Sequence, residues 1–140
     1  MTSFVRKVEL KDLDQVVNML QQISDYSNTN QFNELWDSYI KQDNLYAIVV
    51  IGLNGKVLGF GSVIYERNIR SGIRGHIEDI VVRKDYHGKG VGSKIVKNII
   101  SNSKQRGCYK LTLQCEDANF EFYRKLGFHN VGCNMRILLS

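Results

Sequence analysis

Two neighbouring stretches carry residue types that could do chemistry. One is His87-Gly88-Lys89-Gly90-Val91-Gly92-Ser93, in which glycines alternate. The other is the β-branched run Gly75-His76-Ile77-Glu78-Asp79-Ile80-Val81-Val82, interrupted by two adjacent carboxylates. A strand that feeds a glycine turn at a helix start is a place to hold phosphate. Glycine lets the backbone curl close to a ligand, and the first N–H groups of a helix have no partner of their own. Lys89 adds charge there. The order G-x-G-x-G departs from the dinucleotide fingerprint at its third glycine, and Gly92-Ser93-Lys94 is not the Gly-Lys-Ser/Thr that closes a P-loop. Glu78 and Asp79 would face opposite sides of a regular strand. A β-bulge would let both address one site; otherwise one acid is exposed and the other pairs with an arginine.

The elements around these stretches follow from hydrophobic period. Phe4 to Glu9 alternates as a strand. Asp12 caps a helix with Leu13, Val16, Val17, Leu20 and Ile23 on one face, ending near Asp25. A second helix runs from about Phe32 to Lys41, with Leu35, Trp36, Tyr39 and Ile40 inward. Leu45 to Ile51 is a strand, Gly52-Leu53-Asn54-Gly55 a hairpin turn, and Lys56 to Glu66 the returning strand. Arg67 to Arg74 reads as a polar loop and Gly75 to Arg83 as the central strand. After the glycine loop, Val91, Ile95, Val96, Ile99 and Ile100 mark the buried face of a helix that Arg106-Gly107 ends. Cys108 to Cys115 alternates, with Tyr109, Leu111 and Leu113 on one face and Lys110, Thr112 and Gln114 on the other. Ala118 to Leu126 is a short helix and Val131 to Leu139 a last strand. The order βααβββαβαβ predicts an α/β fold, a mixed sheet covered by helices on both faces. The 140 residues suit one domain, 1–140.

Composition narrows the partners. Net charge is +5, but the Lys and Arg residues are dispersed. Basic residues around a phosphate loop fit small polyanions better than a duplex, so neither nucleic acid nor a membrane is an expected partner. No run approaches the ~18 apolar residues of a membrane helix, and the N-terminus lacks a signal-peptide pattern. Cys108, Cys115 and Cys133 fit neither a zinc site nor a disulfide framework. Reduced thiols, a cytoplasmic setting and no metal are therefore expected.

The loop fits Q/R-x-x-G-x-G/A, with His87 in the first position, and so resembles the pyrophosphate loop of the GNAT acetyltransferase superfamily. The segment Phe122-Tyr123-Arg124-Lys125-Leu126-Gly127-Phe128 resembles that superfamily's closing signature. More narrowly, His76-Ile77-Glu78-Asp79-Ile80, Cys108-Tyr109-Lys110-Leu111 and Asn119 with Phe122-Tyr123 resemble the glucosamine-6-phosphate N-acetyltransferase family. Val5-Arg6-Lys7, Asp12-Leu13 and Glu66-Arg67 agree as well, so the resemblance spans nearly the whole chain.

The resemblance implies a GNAT fold, its sheet splayed between the fourth and fifth strands. It implies acetyl transfer from the cosubstrate acetyl-CoA to the amine of glucosamine 6-phosphate, for UDP-GlcNAc synthesis, by a homodimer whose C-terminal strand helps build the neighbour's site. By the same resemblance Ile80, Val81 and Val82 meet the pantetheine arm, and Gly88, Lys89, Gly90, Val91, Gly92 and Ser93 the pyrophosphate. Asn119 contacts CoA, and Tyr123 stands beside the leaving thiolate. Ser24, Glu78, Asp79, Ile80, Tyr109, Lys110, Gln114 and Arg136 fall to the sugar phosphate. The proton acceptor stays open among Glu78, Asp79, a backbone carbonyl and water.

Three departures stand out. Gln114 replaces a family carboxylate, the Arg67 to Arg74 loop is short, and Leu138 replaces a late arginine for which Arg136 could substitute. Rival readings are a GNAT enzyme for another amine, and a non-catalytic acyl-CoA-binding or nucleic-acid-binding module.

Overall fold

The structure is a computed structural model that describes residues 2–22 and 32–139. Strands β2 (Leu45–Ile51), β3 (Val57–Asn68) and β4 (Gly72–Val82) form an antiparallel meander. β1 (Phe4–Lys7) pairs antiparallel with the outer edge of β2, and β5 (Lys110–Leu113) pairs parallel with β4. The sheet order is therefore β1-β2-β3-β4-β5. A parallel neighbour requires a long crossover, which helix α3 (Val91–Gln105) supplies. The other described α-helices are α1 (Leu13–Leu20), α2 (Phe32–Ile40) and α4 (Phe120–Lys125).

Alternation along the central strands sorts the core into two layers. Ala47, Val49, Phe60 and Val81 pack with Val16 and Met19 of α1 and Trp36 of α2. Ile48, Val50, Val63 and Ile77 pack with Val91, Ile95 and Ile99 of α3 on the opposite face. Gly59 lets α3 sit close, since a Cβ there would stand 2.8 Å from both Ile95 Cδ1 and Val91 Cγ1. The Asn54-Gly55 turn forms as expected, with φ of +60° and +73° and Gly52 N–H donating to Lys56 O at 2.8 Å.

Several expectations change. Arg67 to Arg74 is mostly ladder, Arg67 facing Ile73 and Asn68 facing Gly72, with only Ile69 to Ser71 turning. Charged side chains suit this exposed end, where Arg74 Nη2 lies 3.7 Å from Glu66 Oε2. Asp12 stands at the N-cap position of α1 but its side chain makes no capping bond to that helix. Its buried carboxylate takes two hydrogen bonds from Arg6, at 2.7 and 2.8 Å, and one from the Glu9 N–H at 2.8 Å. Burial pushes that carboxyl up, but these bonds and the Arg6 charge outweigh it and hold it below the usual range. In α2, Trp36 turns inward, whereas Leu35 and Ile40 are exposed.

Val131 to Leu139 forms no strand. Its alternating residues Val131, Met135, Ile137 and Leu139 are 80 to 90 % exposed, and the segment pairs with neither edge strand of the described sheet, β1 or β5. Ile23 and Ser24 lie outside the described residues.

Candidate active site

The glycine loop joins β4 to α3. Gly88 and Gly90 have φ of +76° and +84°, the left-handed region that favours glycine. A Cβ at either would meet nothing within 4 Å, so the space beside them is open. Gly90 stands at the start of α3, and no side chain caps that helix. Its first N–H groups therefore point into the opening with the positive end of the helix dipole. His87 Nε2–H donates to Val82 O at 2.9 Å and ties the loop back to the strand. Lys94 is held by Ser3 at 3.0 Å, whereas Lys89 lies over the Tyr86 ring, 5.0 Å from its centre, beside the loop. These features fit a pyrophosphate.

The sheet splays where the loop begins. β5 pairs with β4 only from Arg74↔Lys110 to Ile77↔Leu113, while β4 continues to Val82. Beyond Ile77 the β4 backbone has β3 on one side and, among the described residues, no strand on the other. A bare inner edge has N–H and C=O groups to satisfy, and an amide-bearing arm laid along Ile80 to Val82 satisfies them.

The strand carries the irregularity that would turn Glu78 and Asp79 to one side. Gly61 pairs with Ile80 but Val63 with Ile77, so two β4 residues oppose Ser62 alone. Its effect is visible in the core. Ile77 and Ile80 both pack on the α3 side, three positions apart, where regular alternation would send them to opposite faces. Val81 packs on the α1/α2 side. Glu78 and Asp79 therefore both face α1 and α2, as one paired acidic site. Glu78 is exposed. Asp79 is half-buried, and burial first, then the Glu78 charge, raise its carboxyl above the ordinary range. A carboxyl raised in this way is a better proton acceptor than an ordinary aspartate.

A cavity of about 980 Å³ on the β5 side gathers Tyr109, Lys110, Thr112, Gln114, Tyr123 and His76. Glu78 and Asp79 do not line it. His76 bridges the two parts, with Nδ1 2.9 Å from Thr112 Oγ1 and Nε2 3.8 Å from Glu78 Oε1. Sequence reasoning left His76 as a strand residue. Its place in the His-Ile-Glu-Asp block, with Glu78 two positions on, was the available signal. Tyr109 is exposed, with its hydroxyl accepting from Asn68 Nδ2 at 2.9 Å. Tyr123 sits edge-on between Phe122 and Phe128. Burial, with Cys115 adding, pushes its phenol up to about 12, so it stays a donor at neutral pH.

Asn119 precedes α4, exposed, and makes no capping bond. Arg136 is not brought to the site within this chain, because the segment meant to carry it as a strand is unpaired and the cavity lining ends at Asn134. A second cavity, about 510 Å³ between β1 and the Asn54-Gly55 turn, is lined by Arg6 and Asp12, which already satisfy each other. Among the described residues no group of three His, Cys, Asp or Glu side chains could hold a metal, and no helix is long and apolar enough to cross a membrane.

Comparisons with known proteins agree with this geometry. The family model of the Acetyltransferase (GNAT) family matches residues 13–128. Glucosamine 6-phosphate N-acetyltransferase 1 of Dictyostelium discoideum is 38 % identical, over 96 % of this chain and 89 % of its own length. Glucosamine 6-phosphate N-acetyltransferase of Arabidopsis thaliana is 32 % identical, over 94 % of this chain and 93 % of its own length. The crystal structure of the Arabidopsis thaliana enzyme superposes with a TM-score of 0.89 at 29 % identity, covering 100 % of both chains. An acetyltransferase of Trypanosoma brucei gives a TM-score of 0.88 at 26 % identity, covering 99 % of this chain and 100 % of that one. With its splayed sheet, uncapped glycine loop and matches over nearly its full length, the chain belongs to the GNAT acetyltransferase family.

Proposed function

We propose that this chain transfers acetyl from acetyl-CoA to the amine of glucosamine 6-phosphate, giving N-acetylglucosamine 6-phosphate and CoA. The observation that carries this reading is the bulge that turns Glu78 and Asp79 to one face at the mouth of the splay, next to the glycine loop. The relatives named for this reaction support the choice of acceptor.

The loop from Gly88 to Ser93 binds the pyrophosphate through backbone N–H groups, with Lys89 adding charge. Ile80 to Val82 orient the arm, and an N–H near Ile80 or Val81 faces the negative charge that develops on the thioester oxygen. Glu78 and Asp79 hold the amine, which arrives largely as ammonium, and Asp79 is suited to take its proton. Tyr109, Lys110, Gln114 and Ile80 contact the sugar phosphate, Lys110 supplying the charge, and Asn119 contacts CoA. Release of CoA thiol from acetyl-CoA, measured against a panel of amines, tests the proposal. Turnover confined to a peptide or polyamine would assign another acceptor.

Tyr123 is proposed to donate to the departing sulfur. Tyr123→Phe keeps the ring packing and deletes one hydroxyl, so kcat should fall roughly 10- to 100-fold with little change in sugar KM. An unaltered kcat, with chemistry shown to be rate-limiting, would leave Tyr123 a packing residue.

The unpaired, apolar Val131 to Leu139 segment supports a homodimer in which it pairs with a second copy and carries Arg136 to the neighbour's sugar phosphate. Mixing Arg136→Ala and Glu78→Ala proteins should then restore part of the activity through hybrid sites. Failure to recover, with subunit exchange demonstrated, argues against a shared site. In this reading the enzyme works in the cytoplasm and its product supplies UDP-GlcNAc synthesis.

A further inference from the structure

Among the described residues, one buried side-chain polar atom lacks a hydrogen-bond partner, and it is the phenolic oxygen of Tyr39. Buried polar groups are nearly always paired, and a lost partner is costly. Tyr39 sits on α2 one turn after the buried Trp36, its ring packed on the α1/α2 layer of the core. That is the face to which the bulge turns Glu78 and Asp79. Ser62, 1 % exposed, lies on β3 opposite the bulge and is the residue that the two acids straddle. The Ser62 hydroxyl is near the phenol but outside hydrogen-bonding geometry, and the charges of Asp79 and Glu78 both reach it. Burial pushes the phenol up to about 12, so it is neutral and able to donate throughout the working range. A neutral donor with no partner, on the face to which both carboxylates turn, has an obvious use.

We propose that Tyr39 is a positioning residue for acetyl transfer: its phenol donates to the Asp79 carboxylate when the acceptor amine is seated, aiming that carboxylate at the nitrogen. The inference rests on the reading of Glu78 and Asp79 as the amine-binding pair. A donor at one carboxylate also separates the two acids in role. The acid without it, Glu78, remains exposed and tied to His76, while Asp79 is held in one rotamer. Among the described residues the titratable groups facing Asp79 are Glu78 on its own strand and Tyr39 from α2, while β3 presents the uncharged Ser62. His76 and Lys110 stand further along the same face of the sheet.

The test is a double-mutant cycle with a spectroscopic readout. Tyr39→Phe keeps the ring and removes the donor. It should lower kcat/KM for glucosamine 6-phosphate about tenfold in the parent enzyme and about twofold or less in an Asp79→Asn background. In protein carrying ¹³C-labelled aspartate, saturated with CoA and glucosamine 6-phosphate, the Asp79 carboxyl signal is assigned by its loss in Asp79→Asn. It should titrate roughly one pH unit higher in Tyr39→Phe, because a donor that favours the carboxylate form is gone. Packing alone would not move that signal. Equal effects of Tyr39→Phe in both backgrounds, or an unmoved Asp79 titration, would overturn the inference while leaving the acid pair in place. Full activity of Asp79→Asn would overturn the amine-site reading itself.

Discussion

Gly90→Asp is expected to weaken acetyl-CoA binding about a hundredfold, some 2.7 kcal/mol, in a protein that stays folded. Two effects act at this position. The backbone has a φ of +84°, which costs an L-residue roughly 1 kcal/mol, though aspartate tolerates it better than most. The new carboxylate stands at the N-terminus of α3, where it favours the helix dipole and so helps the fold. Stability should consequently change little. The same carboxylate fills the space in front of the uncapped N–H groups and repels an incoming pyrophosphate. Calorimetric titration with CoA reads the loss directly. Gly107→Asp is the control, since Gly107 has a φ of +77° at the opposite end of the same helix. It should carry the strain without the loss of affinity. Unchanged CoA affinity in Gly90→Asp would remove the loop from the site.

The second large effect is expected from Asp79→Asn. If Asp79 holds the amine and takes its proton, kcat/KM should fall by about two to three orders of magnitude. The same substitution should stabilise the fold at neutral pH. Burial and the Glu78 charge raise the folded-state carboxyl above its ordinary value of 3.8. Below the unfolded value the group is protonated in both states and nothing is lost. As pH rises through the window between the unfolded and the folded value, the native protein loses the benefit of its extra proton, and stability falls. Asparagine carries no charge to desolvate. The gain in melting temperature over the parent should therefore be full at neutral pH and vanish in acid. A large activity loss with a stability gain is what a strained functional acid gives. An equal loss of activity and stability would mark Asp79 as a structural group instead.

The glycine loop was legible because its requirement is local. Positive φ at Gly88 and Gly90 and an uncapped helix start follow from residue type and order. The two adjacent acids were visible in the sequence, but the bulge that turns both to one face was not fixed by it, because it depends on the register with β3. The α3 face was also read directly, because Val91, Ile95, Val96 and Ile99 repeat at helical spacing and all are buried. Part of what escaped depends on partners distant in sequence. Val131 to Leu139 alternates like a strand, but a strand exists only where it pairs, and the segment pairs with no strand of the described chain. Arg67 to Arg74 looked like a loop because an exposed ladder end needs no apolar face. Asp12 has the composition of a helix cap, yet a bidentate partner in β1 claims it. His76 and Tyr39 acquire meaning only when β5 and α2 bring Thr112 and the bulge beside them. Ser24, expected near the substrate, lies outside the described residues.

The central claim is tested most directly by a competition. Limiting acetyl-CoA is offered with equimolar glucosamine 6-phosphate, glucosamine, a polyamine and a peptide amine in one vessel, and the acetylated products are quantified by mass spectrometry. The product ratio reports relative kcat/KM without separate titrations. N-acetylglucosamine 6-phosphate should dominate by about a hundredfold or more over N-acetylglucosamine, since the proposed contacts to the phosphate, the Lys110 charge among them, are lost with the phosphate. Acetyl found chiefly on another amine, with glucosamine 6-phosphate left intact, would contradict it.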